Sequence, residues 1–106
     1  MAQILVVDDS STVRNEVGDF LQKNGLTVSL AVDGRDGLVK LKADPAIKLI
    51  VCDVNMPNMD GLTMAEKVRS ELNNTSVSIV MLTTENSPVM KERGKAAGIK
   101  GWIVKP

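Results

Sequence analysis

Short apolar runs alternate with longer amphipathic stretches along this chain of 106 residues. Apolar or alternating patterns at residues 3–7, 27–32, 47–52, 77–82 and 101–104 predict five strands. Helical spacing follows each of the first four strands, and the first predicted helix places Val13, Val17, Phe20 and Leu21 on one apolar face. Strand and helix are therefore expected to alternate, with the helix after the fifth strand missing.

The repeated strand-helix pattern predicts the fold class. Ser10 or Ser11 can cap the first helix, and Gly98 is expected to end the fourth. Because right-handed crossovers place helices on both faces of a parallel sheet, we expect one α/β domain over residues 1–106. From the length of the chain we expect one small domain without an appended output domain.

Composition and charge exclude several classes of function. Thirteen basic and 13 acidic residues cancel, which argues against a general nucleic-acid binder or a membrane-surface protein. No apolar run reaches the length of a membrane span and no leader is recognisable, so a cytoplasmic location is expected. Histidine is absent, which excludes histidine-based catalysis and metal ligation. Cys52 lies in an apolar run and is interpreted as a buried hydrophobe.

Polar residues with related chemistry follow four of the predicted strands. They are Asp8 and Asp9, Asp53, Thr83 and Lys105. Ligands bind beyond the carboxyl ends of the strands in open α/β sheets, so these side chains should meet at one edge. Three clustered carboxylates repel one another unless a cation or a raised pKa relieves them. The sequence therefore predicts a charged site at this edge.

Magnesium is the cation that this donor set favours, since it takes hard oxygen ligands and keeps several waters. Asp9 and Asp53 are the expected direct ligands, with Asp8 acting partly through water and the backbone carbonyl of Asn55 adding an oxygen. A carboxylate can accept a phosphoryl group when the charge on the phosphoryl oxygens is offset. Asp53 is the predicted acceptor, with Thr83 and Lys105 contributing to that offset.

The ordered motifs resemble those of a bacterial response-regulator receiver domain, in particular a single-domain chemotaxis regulator. The matching segments are residues 6–10, residues 53–61, Thr83 and residues 104–106. The resemblance implies a flavodoxin-like, doubly wound sheet of five parallel strands in the order 2-1-3-4-5. It also implies that Asp53 is the phosphorylation site, Asp8 and Asp9 the metal acids, Thr83 the switch hydroxyl and Lys105 the phosphate-sensing cation.

The resemblance further implies partners and a cycle of reactions. The phosphoryl donor is expected to be a sensor histidine kinase or a small acyl phosphate, in a two-component phosphorelay. Phosphorylation should alter the surface of helix 4 and strand 5 and so favour a protein target. Asn55 and Glu85 occupy the positions that flank the attacking water, which implies quick self-dephosphorylation. The domain would catalyse only its own phosphorylation and dephosphorylation and would not otherwise be an enzyme.

Two residues depart from the usual receiver pattern. Trp102 stands where receivers usually carry tyrosine or phenylalanine as a rotating switch, and static packing is the alternative interpretation. Thr84 stands where a small residue is common; it either narrows access to Asp53 or is an ordinary exposed strand-end threonine. Asp33 and Asp60 each precede glycine, and turn formation explains them without a role in the site.

The chain ends at Pro106, where the fifth helix of the family would follow. We expect one face of the sheet to remain apolar and exposed, and a second copy of the chain to cover it as a homodimer. With proline terminal, the isomer of the Lys105–Pro106 bond and the placement of Lys105 are open.

Two other functions are compatible with the same residues. A magnesium-dependent phosphohydrolase also uses an aspartyl nucleophile, but such enzymes generally carry Asp-x-Asp, and the residue two positions after Asp53 is Asn55. A degenerate receiver acting as a dimerising scaffold is favoured only by the truncated end.

Overall fold

Strands and helices alternate from end to end in the computed structural model, which describes residues 3–84 and 87–104. The strands are β1 (Ile4–Val7), β2 (Val28–Ala31), β3 (Leu49–Cys52), β4 (Ser78–Thr83) and β5 (Gly101–Val104). The helices are α1 (Ser11–Lys23), α2 (Gly34–Ala43), α3 (Gly61–Ser70) and α4 (Pro88–Ala96). Most of the observed strands are shorter than the predicted ones by one or two residues at an end.

All the strands pair in parallel, in the order β2-β1-β3-β4-β5, so the predicted order 2-1-3-4-5 is confirmed. Ile4 of β1 stands opposite Val28 on one side and Leu49 on the other. Val80 of β4 stands opposite Gly101. This order places β1 and β3 side by side at the centre, and it brings their carboxyl ends to the same edge.

One face of the sheet carries the main hydrophobic core. Helices α2, α3 and α4 pack on this face. Side chains alternate across each strand, so every second residue of a strand points to the same face and meets these helices. The core residues contributed by the central strands are Leu5, Val7, Ile50, Cys52, Ile79 and Met81. From α3, Leu62, Met64, Ala65 and Val68 pack against them.

The opposite face is covered by α1 alone among the described helices. Gly18 is the buried residue of α1, and a Cβ placed there would lie 3.3 Å from a methyl of Leu30, so the helix approaches β2 closely. The apolar face predicted for this helix is only partly buried, and Phe20 is 66% exposed. Ile103 of β5 is 53% exposed, since α1 packs towards β2 and leaves the β5 side uncovered.

Side-chain caps set the helix starts at this edge of the sheet. The Ser10 hydroxyl accepts from the Val13 N–H, which selects Ser10 over Ser11 as the first cap. Asp33 and Asp60 cap α2 and α3 in the same way. Gly98, at φ 77°, follows the end of α4 as predicted. No helix in the described ranges is long and apolar enough to cross a membrane.

Candidate functional site

Backbone hydrogen bonds carry the acids Asp8 and Asp53 to adjacent positions at the edge of the sheet. Asp8 directly follows β1, and its N–H donates to the Ala31 carbonyl at 3.2 Å. Asp53 directly follows β3, and its N–H donates to the Val7 carbonyl at 2.9 Å. The ladders of the central strands thus continue one residue into the site. Their rigidity determines where the two carboxylates lie.

Three predicted metal acids come together at this edge. Carboxylate oxygens of Asp8, Asp9 and Asp53 all lie within 4.8 Å of one another. Asp8 is 2% exposed and Asp53 8% exposed, whereas Asp9 is exposed. A set of hard oxygen donors with one open side fits a hydrated magnesium ion, which is bound through one or two carboxylates and keeps waters. The donor chemistry therefore fits the predicted cofactor.

The backbone orients both buried carboxylates. Oδ1 of Asp53 accepts from the Val54 N–H at 2.8 Å, and Oδ1 of Asp8 accepts from the Ser10 N–H at 2.9 Å. Each bond fixes the plane of its carboxylate before any ligand binds, which reduces the reorganisation that binding requires. Arg14, which the sequence did not single out, donates from Nη1 to the Asp8 carbonyl at 2.6 Å. The sequence signal for this contact was the position of Arg14 in the first turn of α1, the helix that Ser10 caps.

The loop between Asp53 and α3 closes tightly against the acceptor. The Gly61 N–H donates to the Val54 carbonyl at 2.8 Å. A Cβ at Gly61 would collide with the backbone oxygen of Asp53, so only glycine fits this position. Asn55, whose backbone carbonyl is the predicted additional ligand, is exposed within this loop.

The loop that precedes α2 contacts the loop between Asp53 and α3. The Asp33 carboxylate is buried and accepts from the Asp36 N–H at 2.9 Å and from Nδ2 of Asn58 at 2.7 Å. These bonds, the Asp36 backbone bond first, hold the pKa of Asp33 below its ordinary value. Turn formation alone therefore does not account for Asp33. The 25-residue separation between Asp33 and Asn58 gave no local signal of this contact.

Thr83 ends β4 beside β3, and it is fully buried. Thr84 is exposed directly after the strand, and both interpretations of this residue stay predictions. Lys105, Glu85 and the Lys105–Pro106 bond lie outside the described residues, so the roles assigned to them remain predictions.

Trp102 lies on the core face of β5, in register with Met81. A Cβ at Gly94 would be 3.3 Å from the indole Cζ3, so the ring packs against a glycine of α4. The indole is half-buried at the margin of the core. This contact is the packing that the static interpretation of Trp102 requires, and a switching role stays a prediction.

Cys52 immediately precedes the acceptor and is fully buried. Burial, with the nearby charge of Asp53 second, raises the pKa of its thiol well above the ordinary value. The predicted burial of Cys52 is confirmed, and a raised pKa disfavours the reactive thiolate.

The chain matches the family described as response regulator receiver domain over residues 4–106. Chemotaxis protein CheY1 of Helicobacter pylori is 37% identical over 105 residues, which cover 98% of this chain and 85% of the relative.

Solved structures show the same similarity. The chemotaxis protein CheY4 of Vibrio cholerae superposes with a TM-score of 0.91 at 44% identity, covering all of this chain and 88% of the other. A structure of the CheX-CheY-BeF3-Mg²⁺ complex from Borrelia burgdorferi gives a TM-score of 0.89 at 27% identity, over 97% of this chain and 77% of that one. This chain therefore belongs to the response-regulator receiver domain family and is a CheY-like regulator of the chemotaxis type.

Proposed function

We propose that this domain accepts a phosphoryl group on Asp53 in a magnesium-dependent reaction and presents an altered surface to a protein target. One observation carries the proposal. The oxygens of Asp8, Asp9 and Asp53 lie within 4.8 Å of one another, with the acceptor carboxylate buried and oriented by backbone. The family supports it, since receiver domains act in two-component signalling.

The transfer requires an attacking oxygen and an acceptable leaving group. An oxygen of the Asp53 carboxylate attacks phosphorus, and the P–N bond to a donor histidine, or the P–O bond of an acyl phosphate, breaks. The electron pair of that bond leaves with the imidazole or the carboxylate. Bound magnesium supplies positive charge for the phosphoryl oxygens. Asp8 and Asp9 hold that charge in place, and Thr83 and Lys105 are assigned to the phosphoryl oxygens themselves.

The donor and the target come from outside the chain. The donor is a sensor histidine kinase or a small acyl phosphate, as the family suggests. The chain itself contains no histidine that could carry the phosphoryl group. A structural relative is described in complex with CheX, BeF3 and Mg²⁺, which supports both the metal and a protein target. The response is assigned to the surface of α4 and β5, and Asn55 and Glu85 to the return reaction with water. The domain then catalyses only its own phosphorylation and dephosphorylation, and it works in the cytoplasm.

Incubation with acetyl phosphate and Mg²⁺ tests the proposal. Mass spectrometry should show one added phosphoryl group that is stable in acid and labile in base. Asp53→Asn should abolish the adduct, and so should a chelator. Asp19→Asn, a matched change on the exposed side of α1, should leave it intact.

Three outcomes would contradict the proposal. An adduct that persists in Asp53→Asn would place the acceptor elsewhere. The absence of any adduct in the unmodified chain would favour the scaffold interpretation. Repeated turnover of unrelated phosphate esters would favour a phosphohydrolase.

A further inference from the structure

Two contacts tie the loop after Asp53 to the start of α2. Oδ2 of Asp33 accepts from Nδ2 of Asn58 at 2.7 Å, while Oδ1 of the same carboxylate caps α2 through the Asp36 N–H. One residue further on, the Gly34 N–H donates to the Met59 carbonyl at 3.2 Å. We call the contacts Asp33–Asn58 and Gly34–Met59 the loop latch. They join segments that are far apart in the sequence.

The geometry on both sides of the latch restricts the residue types. Asn58 has φ 67°, in the left-handed region that asparagine tolerates better than most residues. The same residue supplies the amide that reaches Asp33. A Cβ at Gly34 would lie 2.7 Å from the Met59 carbonyl oxygen, so a larger residue would push the loop away. Backbone conformation and side-chain chemistry therefore act together at this contact.

Asn55, the predicted carbonyl ligand, lies in the segment between Asp53 and the loop latch. Gly61 anchors the base of the loop through the Val54 carbonyl, and the latch holds its far end at residues 58 and 59. Asn55 lies between these two anchors. A backbone carbonyl ligand has no side-chain rotamer to adjust, so its position depends on whatever holds the loop. Groups that orient metal ligands in this way affect metal affinity without touching the ion.

We propose that Asp33 and Asn58 are positioning residues of the metal site, and that their hydrogen bond holds the Asn55 carbonyl where magnesium binds. This inference rests on the proposed function, since it assigns the latch to the same site. It predicts that breaking the latch weakens magnesium binding more than it slows phosphoryl transfer at saturating magnesium.

Substitutions at residue 58 separate the hydrogen bond from charge and backbone conformation. Asn58→Asp places two carboxylates face to face and breaks the bond by repulsion. Adding Asp33→Asn to that variant restores a carboxylate-amide pair with the original net charge. Asn58→Gly removes the amide and still permits a positive φ. Asn73→Gly is the matched control, because Asn73 also has a positive φ, 51°, and is exposed beyond α3.

Three measurements should be made on each variant after circular dichroism has verified folding. Amide NMR during a Mg²⁺ titration gives the dissociation constant, hydrogen exchange of the Gly34 amide in metal-free protein reports the latch, and acetyl phosphate gives the transfer rate. Asn58→Asp and Asn58→Gly should bind Mg²⁺ about tenfold more weakly and exchange Gly34 faster. The double variant and Asn73→Gly should stay within about twofold of the unmodified chain.

Two results would overturn the inference. Unchanged Mg²⁺ affinity with faster Gly34 exchange in both Asn58 variants would make the latch purely structural. Failure of Asp33→Asn to rescue Asn58→Asp would mean that the pairing of these two side chains is not the operative contact. If the unmodified chain formed no adduct, the proposed function would fail, and the exchange data would still test the latch.

Discussion

Gly61 shows how a single residue can set the position of the acceptor. Its missing side chain allows the start of α3 to lie directly on the backbone oxygen of Asp53. Asp60, one residue earlier, caps the same helix by accepting from the Thr63 N–H at 2.7 Å. The acceptor, the capping residue and the first residue of α3 are therefore in contact or adjacent in the sequence, and a substitution at one of them displaces the others.

We predict that Gly61→Ala lowers the free energy of unfolding by about 1–3 kcal/mol, the usual cost of overpacking. It should also slow adduct formation, because Asp53 must shift to relieve the collision. Urea denaturation and the acetyl phosphate assay measure the two effects. Gly101→Ala is the control, since a Cβ there would meet Val80 at an ordinary 3.4 Å. Equal losses in the two variants would contradict the prediction.

Protonation of Asp33 should lower the stability of the folded protein in acid. The pKa of Asp33 is lowered in the folded state, chiefly by the Asp36 N–H, from an ordinary value of 3.8. The folded protein therefore binds fewer protons at this group than the unfolded chain does. Its stabilisation is complete above the unfolded value and is lost as the pH falls through the lower folded value.

Asp33→Asn keeps a capping side chain and removes the charge. We expect the variant to be less stable than the unmodified protein by about 1 kcal/mol at pH 7, because hydrogen bonds to a charged group are the stronger ones. The difference should shrink as the pH falls below 4 and should vanish when Asp33 is protonated in both states. Urea unfolding curves from pH 7 to strongly acidic pH measure it. A constant difference across this range would contradict the assignment.

Among the elements, α3 connects the acceptor loop to α4 and to the loops that follow α4 and precede β4. Arg69, near its end, donates to the carbonyls of Ala97 and Gly98 beyond α4, at 3.0 and 3.2 Å. It also donates to the carbonyls of Asn74 and Val77 before β4. Partial burial lowers the pKa of this guanidinium, which remains charged because arginine titrates far above neutral pH. One side chain thus links α3 to two loops.

We predict that Arg69→Met lowers the free energy of unfolding by about 2 kcal/mol, since the long stem is kept but these carbonyls lose a charged donor. Lys67→Met is the control on the same helix. The Lys67 ammonium faces Glu71 at 3.4 Å in an exposed pair, so its loss should cost no more than about 0.5 kcal/mol. Chemical denaturation distinguishes the two. Similar costs would show that Arg69 does not act as a link.

A second link between α3 and α4 is an ion pair. Arg93 donates to the Glu66 carboxylate from Nε and Nη2, at 3.0 and 2.8 Å, and to the Thr63 hydroxyl. The hydrogen bond from Arg93 lowers the pKa of Glu66. Both side chains are more than two-fifths exposed, so the pair orients α4 more than it stabilises the fold.

At the scale of the whole molecule, the two faces of the sheet are covered unequally. Three helices pack on the core face, whereas α1 alone among the described helices covers the other. Ile103 is exposed on that second face, and Phe20 is exposed on α1, the helix that packs there. The homodimer expected from the sequence would bury them, and it stays a prediction.

We predict that sedimentation shows a concentration-dependent shift from one copy to two, driven by the burial of apolar surface. Phe20→Ser combined with Ile103→Thr should abolish the shift. Val39→Ser is the control, because Val39 is 65% exposed on α2, on the opposite side of the sheet. A single copy at every concentration, or loss of the dimer in the control, would refute this use of the face.

The sequence by itself determined the alternation of strands and helices, the parallel arrangement of the sheet and the presence of acids at the carboxyl ends of its strands. These features are local: periodicity distinguishes strands from helices, and residues such as Asp8 and Asp53 directly follow the strands that position them. Parallel pairing then brings strand ends together without any further information.

Only the tertiary structure decided which distant groups meet and how tightly. Asp33 and Asn58 are 25 residues apart. The groups that accept from Arg69 are backbone carbonyls, which every residue carries, so the sequence does not identify them. Phe20 is exposed although helical spacing places it on the predicted apolar face, because spacing does not specify which residues of α1 contact the sheet. Such contacts follow from packing between elements, and the local pattern of residues carries almost no signal of them.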